Sequence, residues 1–285
     1  MHSGWRPTFA GTRPAYSLAC CPIAAMLPVS IVKHSSPTPS VLWVVRHGQS
    51  AGNVASDLAN SRQLPMLDIA TRDMDTPLSP LGERQADALG YWFGTLPPEE
   101  QPDVLLCSPY LRAVETARRL LQVGEMPTTL RVDERLREKE FGVLDRYTRY
   151  GIQQKFPDLF EQRAHVGKFY FRPPGGESWC DVILRLRSFM EMTAREYDGQ
   201  RVLVVGHQVI VSCLRYLLEG LAEQEILAID REGDVPNCGV TSYHFHAEGF
   251  RDGKLVPRLV NFTAPLEQAG TPVTAAKDVP AAPKA

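Results

Sequence analysis

The chain has 285 residues, 44% of them hydrophobic and 22% charged, so it can close a sizeable core, and disorder throughout is excluded. Lysine and arginine number 31 against 33 acidic residues, for a net charge of -2. That balance removes the bulk electrostatic case for nucleic-acid binding and leaves room for a local basic pocket. No stretch reaches the ~18 consecutive apolar residues of a membrane helix, so neither nucleic acid nor membrane is an expected partner.

Residues 1–40 are rich in Pro, Ser and Ala without sustained periodicity and are expected to be a poorly ordered leader, with Met26 as an alternative start. Leu18-Ala19-Cys20 has the outline of an export site, but the stretch between Arg13 and Cys20 is shorter than the ~7–15 apolar residues an export signal needs. Of the 6 cysteines only Cys20 and Cys21 are close together, so zinc-site spacing is missing. Buried thiols in a reducing cytoplasm are the expectation, with export as the alternative.

Val41 to Val45 is an unbroken apolar run suited to a strand buried on both faces. Leu81, Gln85, Leu89 and Trp92 follow at helical spacing, opened by Ser79-Pro80. Asp103 to Cys107 reads as a second strand and Ser108-Pro109 as the start of a helix carrying Leu111, Val114, Ala117 and Leu121. Thr129 to Val132 is a third strand and Arg201 to Val205 a fourth, followed by a helix marked by Ile210, Leu214, Leu217 and Leu218. Cys238 to His244 is a fifth strand. This alternation predicts a three-layer α/β sandwich: a mostly parallel central sheet, helices on both faces, and a helical insertion over the site. The catalytic domain is expected to span 41–262. The aromatic-rich 143–172 stretch is read as a lid, and the Ala/Pro-rich 263–285 as a disordered tail.

Four polar clusters stand just past apolar segments, where sites assemble in parallel sheets. They are Arg46-His47-Gly48-Gln49-Ser50-Ala51-Gly52-Asn53, Ser108-Pro109-Tyr110-Leu111-Arg112, Arg137-Glu138-Lys139-Glu140-Phe141-Gly142 and Gly206-His207-Gln208. Arg112 in the first turn of a helix opposes the helix dipole, so an anion is expected to compensate it. Two histidines, two arginines and a carboxylate suffice for phosphoryl transfer without metal. An imidazole nitrogen can attack phosphorus, guanidinium groups bind phosphoryl oxygens in bidentate fashion, and a carboxylic acid protonates the departing oxygen. Asp73 and Asp75 precede Pro77 in a turn and read as local hydrogen-bonding residues rather than metal ligands.

Arg46-His47-Gly48 with Asn53 resembles the signature of the histidine phosphatase superfamily, the phosphoglycerate-mutase-like enzymes. Ser108-Pro109-Tyr110-Leu111-Arg112-Ala113-Val114-Glu115-Thr116-Ala117 resembles its second motif. Leu136 to Gly142 resembles the acid-bearing segment, Pro174-Gly175-Gly176-Glu177-Ser178 the stretch before a late helix, and Gly206-His207 the second histidine motif. Asp75 to Gly82 matches the opening of the family's first long helix. The resemblance runs in order from about Val41 to Tyr243. It implies a metal-independent phosphomonoesterase with no cofactor, acting on a small phosphorylated metabolite through a phosphohistidine on His47. Arg46, Arg112, Asn53 and His207 would hold the phosphoryl group, and Glu138 would donate the proton. Glu140 is the rival acid, because period 2 in an extended segment would put both carboxylates on one face. Gln49, Gln208 and Glu140 are candidate substrate contacts. Gly52 stands where mutases of the family carry tryptophan, which favours the phosphatase branch. A phosphoglycerate-type mutase and a noncatalytic phospholigand-binding protein are the alternatives, and residues 54–75 and 143–172 would select the substrate. Oligomeric state is not encoded legibly.

Overall fold

In a computed structural model, residues 37–248 and 253–275 are described. The leader expected over 1–40 lies almost wholly outside them, as do 276–285 of the expected tail. Six strands, β1 (Val41–Arg46), β2 (Val104–Cys107), β3 (Thr129–Val132), β4 (Arg201–Gly206), β5 (Val240–His246) and β6 (Lys254–Phe262), form one sheet in the order β3-β2-β4-β1-β5-β6. The first four in that order are mutually parallel, while β5 runs antiparallel to both β1 and β6. The sheet is therefore mixed, with the expected parallel part holding its centre.

Strand alternation sorts the core into two layers. Leu42, Val44, Val202 and Val204 face α6 (Trp179–Glu196), α7 (Gln208–Glu219) and α8 (Glu223–Glu232), where Leu186, Phe189, Ile210, Leu214 and Ile226 are fully buried. Trp43, Val45, Leu203 and Val205 face α2 (Pro80–Gly94) and α3 (Leu111–Val123), meeting Leu89, Phe93, Ala117 and Leu120. Each such leucine or phenylalanine contributes about 1.5–3 kcal/mol by leaving water. Ser79 caps α2, accepting from the Gly82 amide at 3.0 Å, with Pro80 in its first turn. Ser108 does not cap α3 as expected. That helix begins at Leu111, and the Ser108 hydroxyl sits at the strand end beside His207.

The expected tail is corrected over its first half. Ala264–Gln268 is a short helix, α9, whose Leu266 is fully buried in the layer of Trp43 and Phe93. Composition missed it because one leucine and a few backbone partners anchor the segment. The 143–172 insertion folds as α4 (Arg149–Lys155) and α5 (Pro157–Val166). Leu144, Tyr147, Ile152, Phe156, Phe160 and Phe171 pack on one another, and Phe169 joins the main core. Most of its aromatics therefore build a minor core of their own. The insertion is tied to the loop after α1 (Ala51–Ser61): the Leu67 amide donates to Arg146 O at 2.9 Å and the Arg146 guanidinium reaches Ile69 O and Thr71 O.

Candidate active site

Register sets the site. Arg46 pairs with Gly206 and Cys107 with Val205, so His47, His207 and Ser108 leave the sheet side by side at the same end. His47 is fully buried, and its Nδ1 lies 2.6 Å from Gly48 O. A carbonyl oxygen only accepts, so Nδ1 carries the proton and Nε2 keeps its lone pair. Arg112 Nε donates to that Nε2 at 3.2 Å. The His207 ring stands edge-on to His47 with centroids 5.1 Å apart, and its Nε2 is 2.7 Å from Ser108 Oγ. Tyr110 packs edge-on against His207 at 5.2 Å.

Both arginines are buried, Arg46 completely and Arg112 to 2% exposure. Arg46 Nη1 donates to Val235 O at 2.6 Å. The anion expected to compensate Arg112 is Asp73. Arg112 Nη1 donates to Asp73 O at 2.6 Å and lies 3.1 Å from its carboxylate, while the guanidinium carbon stands 5.0 Å over the Tyr110 ring. Asn53 closes a capping box at the start of α1. Its Oδ1 accepts from the Ser50 amide at 2.9 Å, which makes Nδ2 the donor end of that side chain.

The two carboxylates that spacing could not separate sit in different environments. Glu138 is fully buried and its Oε1 accepts from the Lys139 amide at 2.7 Å. Glu140 is exposed, and its Oε1 accepts from the Tyr110 hydroxyl at 2.7 Å. Burial, reinforced by that bond, pushes the Tyr110 hydroxyl pKa up. The segment is not a regular strand, so period 2 fails there. Glu177 holds it instead. The Glu177 carboxylate accepts from the Glu140 amide at 3.0 Å, Arg137 at 2.9 Å and Arg185 at 2.9 Å, and Arg185 also donates to Glu138 O at 3.2 Å. Burial, the largest single influence, would raise the Glu177 pKa, but the hydrogen bond and charge of Arg185, the Glu140 amide and the Arg137 charge together outweigh it and the net shift is downward. Lys139, 8% exposed, has its pKa lowered by burial to about 8, against the opposing pull of Glu138.

Gln49 and Gln208, expected to face substrate, have their amides engaged by the protein. Gln49 Oε1 accepts from Ser79 Oγ at 2.7 Å and Gln208 Nε2 donates to Asp234 Oδ1 at 2.9 Å. The carboxylate of Asp75 pairs with Arg72. Among the described residues, no group of three or more His, Cys, Asp or Glu is placed to hold a metal ion, and no helix is long and apolar enough to cross a membrane.

A sequence model of the histidine phosphatase superfamily, branch 1, matches residues 42–255. The chain belongs to the histidine phosphatase superfamily. Among its relatives, the 6-phosphofructo-2-kinase/fructose-2,6-bisphosphatase of Caenorhabditis elegans is 30% identical over 62% of this chain, which spans only 33% of that protein's length. The 2,3-bisphosphoglycerate-dependent phosphoglycerate mutase 2 of Gloeobacter violaceus is 28% identical over 77% of this chain and 92% of its own. A solved mycobacterial glucosyl-3-phosphoglycerate phosphatase in complex with VO3 is 27% identical, with a TM-score of 0.61, covering 78% of this chain and 99% of its own. The superfamily relatives are thus named as phosphatases and as mutases.

His47, Arg112 and His207 converge directly, while Glu138 lies on the segment that Tyr110 and Glu177 fasten. Asp73, read from sequence as a purely local hydrogen-bonding residue, and Asn237, not singled out at all, also bear on the site. Asp73 occupies Arg112, and Asn237, fully buried in the loop before β5, donates to His47 O at 3.0 Å and to Asn53 Oδ1 at 3.4 Å. An asparagine between Pro236 and Cys238 gives no local sign of this, because its partners lie 190 and 184 positions away.

Proposed function

We propose that this histidine phosphatase superfamily member is a phosphomonoesterase that works through a phosphohistidine on His47, acting on a small phosphorylated metabolite. The observation that carries the reading is the His47 imidazole itself. Its Nδ1 is held at a carbonyl, and its Nε2 points its lone pair at the Arg112 guanidinium. Nε2 attacks phosphorus as the bond to the leaving oxygen breaks. Arg46, Arg112, His207 and the Asn53 amide donate to the phosphoryl oxygens, and Glu138 passes its proton to the departing oxygen. Water then adds to phosphorus, the P–N pair returns to Nε2, and the Glu138 carboxylate takes the water's proton. Gln49 and Gln208 serve as positioning residues. The four described cysteines stand unbridged, which suits the cytoplasm.

A labelled phosphomonoester mixed with enzyme and quenched rapidly in base should leave acid-labile phosphate on His47. Label only on a serine or aspartate, or full activity in His47→Ala, overturns the assignment. A phosphoglycerate-type mutase is the second reading, supported by the mutase match over 92% of its length. Product identification across a panel of natural phosphomonoesters separates the readings: free phosphate marks hydrolysis, an isomeric phosphoester marks transfer, and binding without either marks a phospholigand-binding protein.

A further inference from the structure

We infer that residues 271–275 act as a positioning strap for the nucleophile's loop, with the Thr274 hydroxyl bridging two buried amides that grip that loop from both sides. The inference rests on the reading of His47 as nucleophile. The first amide is Asn237, whose side-chain nitrogen donates to His47 O at 3.0 Å. The second is Gln85 on α2, fully buried, whose Oε1 accepts from the Gln49 backbone amide at 2.8 Å. His47 and Gln49 are therefore held at a carbonyl and an amide two residues apart.

An amide side chain can present either end unless its surroundings choose. Here the backbone chooses, since the Gln49 amide can only donate and His47 O and Pro272 O can only accept, and Thr274 links the two amides so oriented. Its hydroxyl donates to Asn237 Oδ1 at 2.9 Å and accepts from Gln85 Nε2 at 3.0 Å. One hydroxyl thus ties the amide that holds His47 O to the amide that holds the Gln49 N–H. The strap backbone adds two anchors: Pro272 O accepts from Gln85 Nε2 at 2.9 Å, and Thr274 O accepts from the Asn237 amide at 2.8 Å. The neighbouring loop strengthens the grip, since Cys238 takes a left-handed backbone (φ 53°) that points its amide at Arg46 O, 3.0 Å away.

A buried polar network can also serve stability alone. Thr274 allows the two roles to be separated, because Pro272 and Val273 beside it are exposed and its removal takes little apolar surface from the core. The test compares Thr274→Val, Thr274→Ala and Thr274→Ser with p-nitrophenyl phosphate as probe, and reads hydrogen exchange over residues 46–53. Removing the hydroxyl should lower kcat by about tenfold, as a displacement well under 1 Å would, with KM within about twofold and faster exchange in that segment. Thr274→Ser should restore both. Unchanged kcat and exchange in Thr274→Val and Thr274→Ala overturns the strap, as does equal loss in Thr274→Ser. If the native enzyme forms no phosphohistidine, the His47 reading fails by itself. Exchange then decides: acceleration rescued by serine supports the strap, and no change refutes it.

Discussion

Gly82 offers the sharpest test of how closely the nucleophile's loop is fitted to the sheet-facing helices. It lies in the first turn of α2, and a Cβ there would stand 1.9 Å from Gln49 O and 2.8 Å from Gln49 C and N. The approach is mutual, since a Cβ on Gly48 would meet Gly82 O at 2.5 Å. Carbon and oxygen ordinarily rest at about 3.3 Å or more, so Gly82→Ala must drive the loop and helix apart by roughly 1.4 Å. The obstructing atoms are backbone and cannot rotate aside. A displacement of about 1 Å at residues adjoining the nucleophile costs on the order of 100-fold in turnover, while overpacking of this kind costs about 1–3 kcal/mol of stability. The control is Gly90→Ala, whose Cβ would press on Leu120 O at 2.9 Å, in the helix pair away from the loop. Steady-state kinetics and thermal unfolding should show the larger loss of melting temperature in Gly82→Ala, whose Cβ meets backbone oxygen at 1.9 Å against 2.9 Å in Gly90→Ala, with kcat falling only in Gly82→Ala. A Gly82→Ala enzyme within threefold of native kcat, or equal kinetic losses in both, would refute the reasoning.

Three further outcomes follow from the same geometry. Asp73→Asn removes the carboxylate 3.1 Å from Arg112 Nη1 that an incoming phosphoryl group must displace; at about 1 kcal/mol for such a partly exposed pair, inorganic phosphate should inhibit about fivefold more tightly, and weaker inhibition would contradict the account. Glu138→Gln should slow alkyl phosphates by ~10²–10⁴-fold while sparing aryl phosphates, whose leaving groups need little protonation; the same pattern in Glu140→Gln would exchange the two roles. Lys139 loses its proton near pH 8 when folded instead of near 10.5, so between those values the unfolded chain binds more protons and the residue's contribution to stability rises with pH. Lys139→Met should therefore be more stable than native at pH 7, by up to about 3 kcal/mol at ~1.4 kcal/mol per pH unit, with the gap closing by pH 10.5 in thermal melts.

The elements legible in the sequence were those whose signal is local. Val41–Val45 and 202–205 are continuous apolar runs, and both appear as central strands with His47 and His207 just beyond their ends. Arg112 announced an anion because a helix N-terminus disfavours a cation, and Asp73 supplies it. The choice between Glu138 and Glu140 was not available from spacing, because it depends on Tyr110 and Glu177, which pull the segment out of a regular strand. Strand β6 was hidden by its exposed, proline-bearing sequence, which pairs along one edge of the sheet and buries little. Leu266 looks isolated in an Ala/Pro-rich run, and only its burial in the layer of Trp43 and Phe93 gives it meaning. Gln49 and Gln208 show a further limit of motif reading: one end of each amide is held by a partner distant in sequence, Ser79 and Asp234, which no local spacing signals.

The strap also dictates when the pocket can be finished during synthesis. The contacts of Asn237 with His47 and of Thr274 with Gln85 join residues 190 and 189 positions apart. At ribosomal speeds of about 5–20 residues per second, the Arg46-His47-Gly48 turn is made roughly 10–40 s before its last supports exist. Such late closures slow folding, and the proposed pocket would gain its last supports only once residue 274 is made. Nascent chains arrested before residue 274 should accordingly hydrolyse a fluorogenic phosphate poorly until elongation resumes, and full activity in chains arrested at residue 263 would contradict that order of assembly.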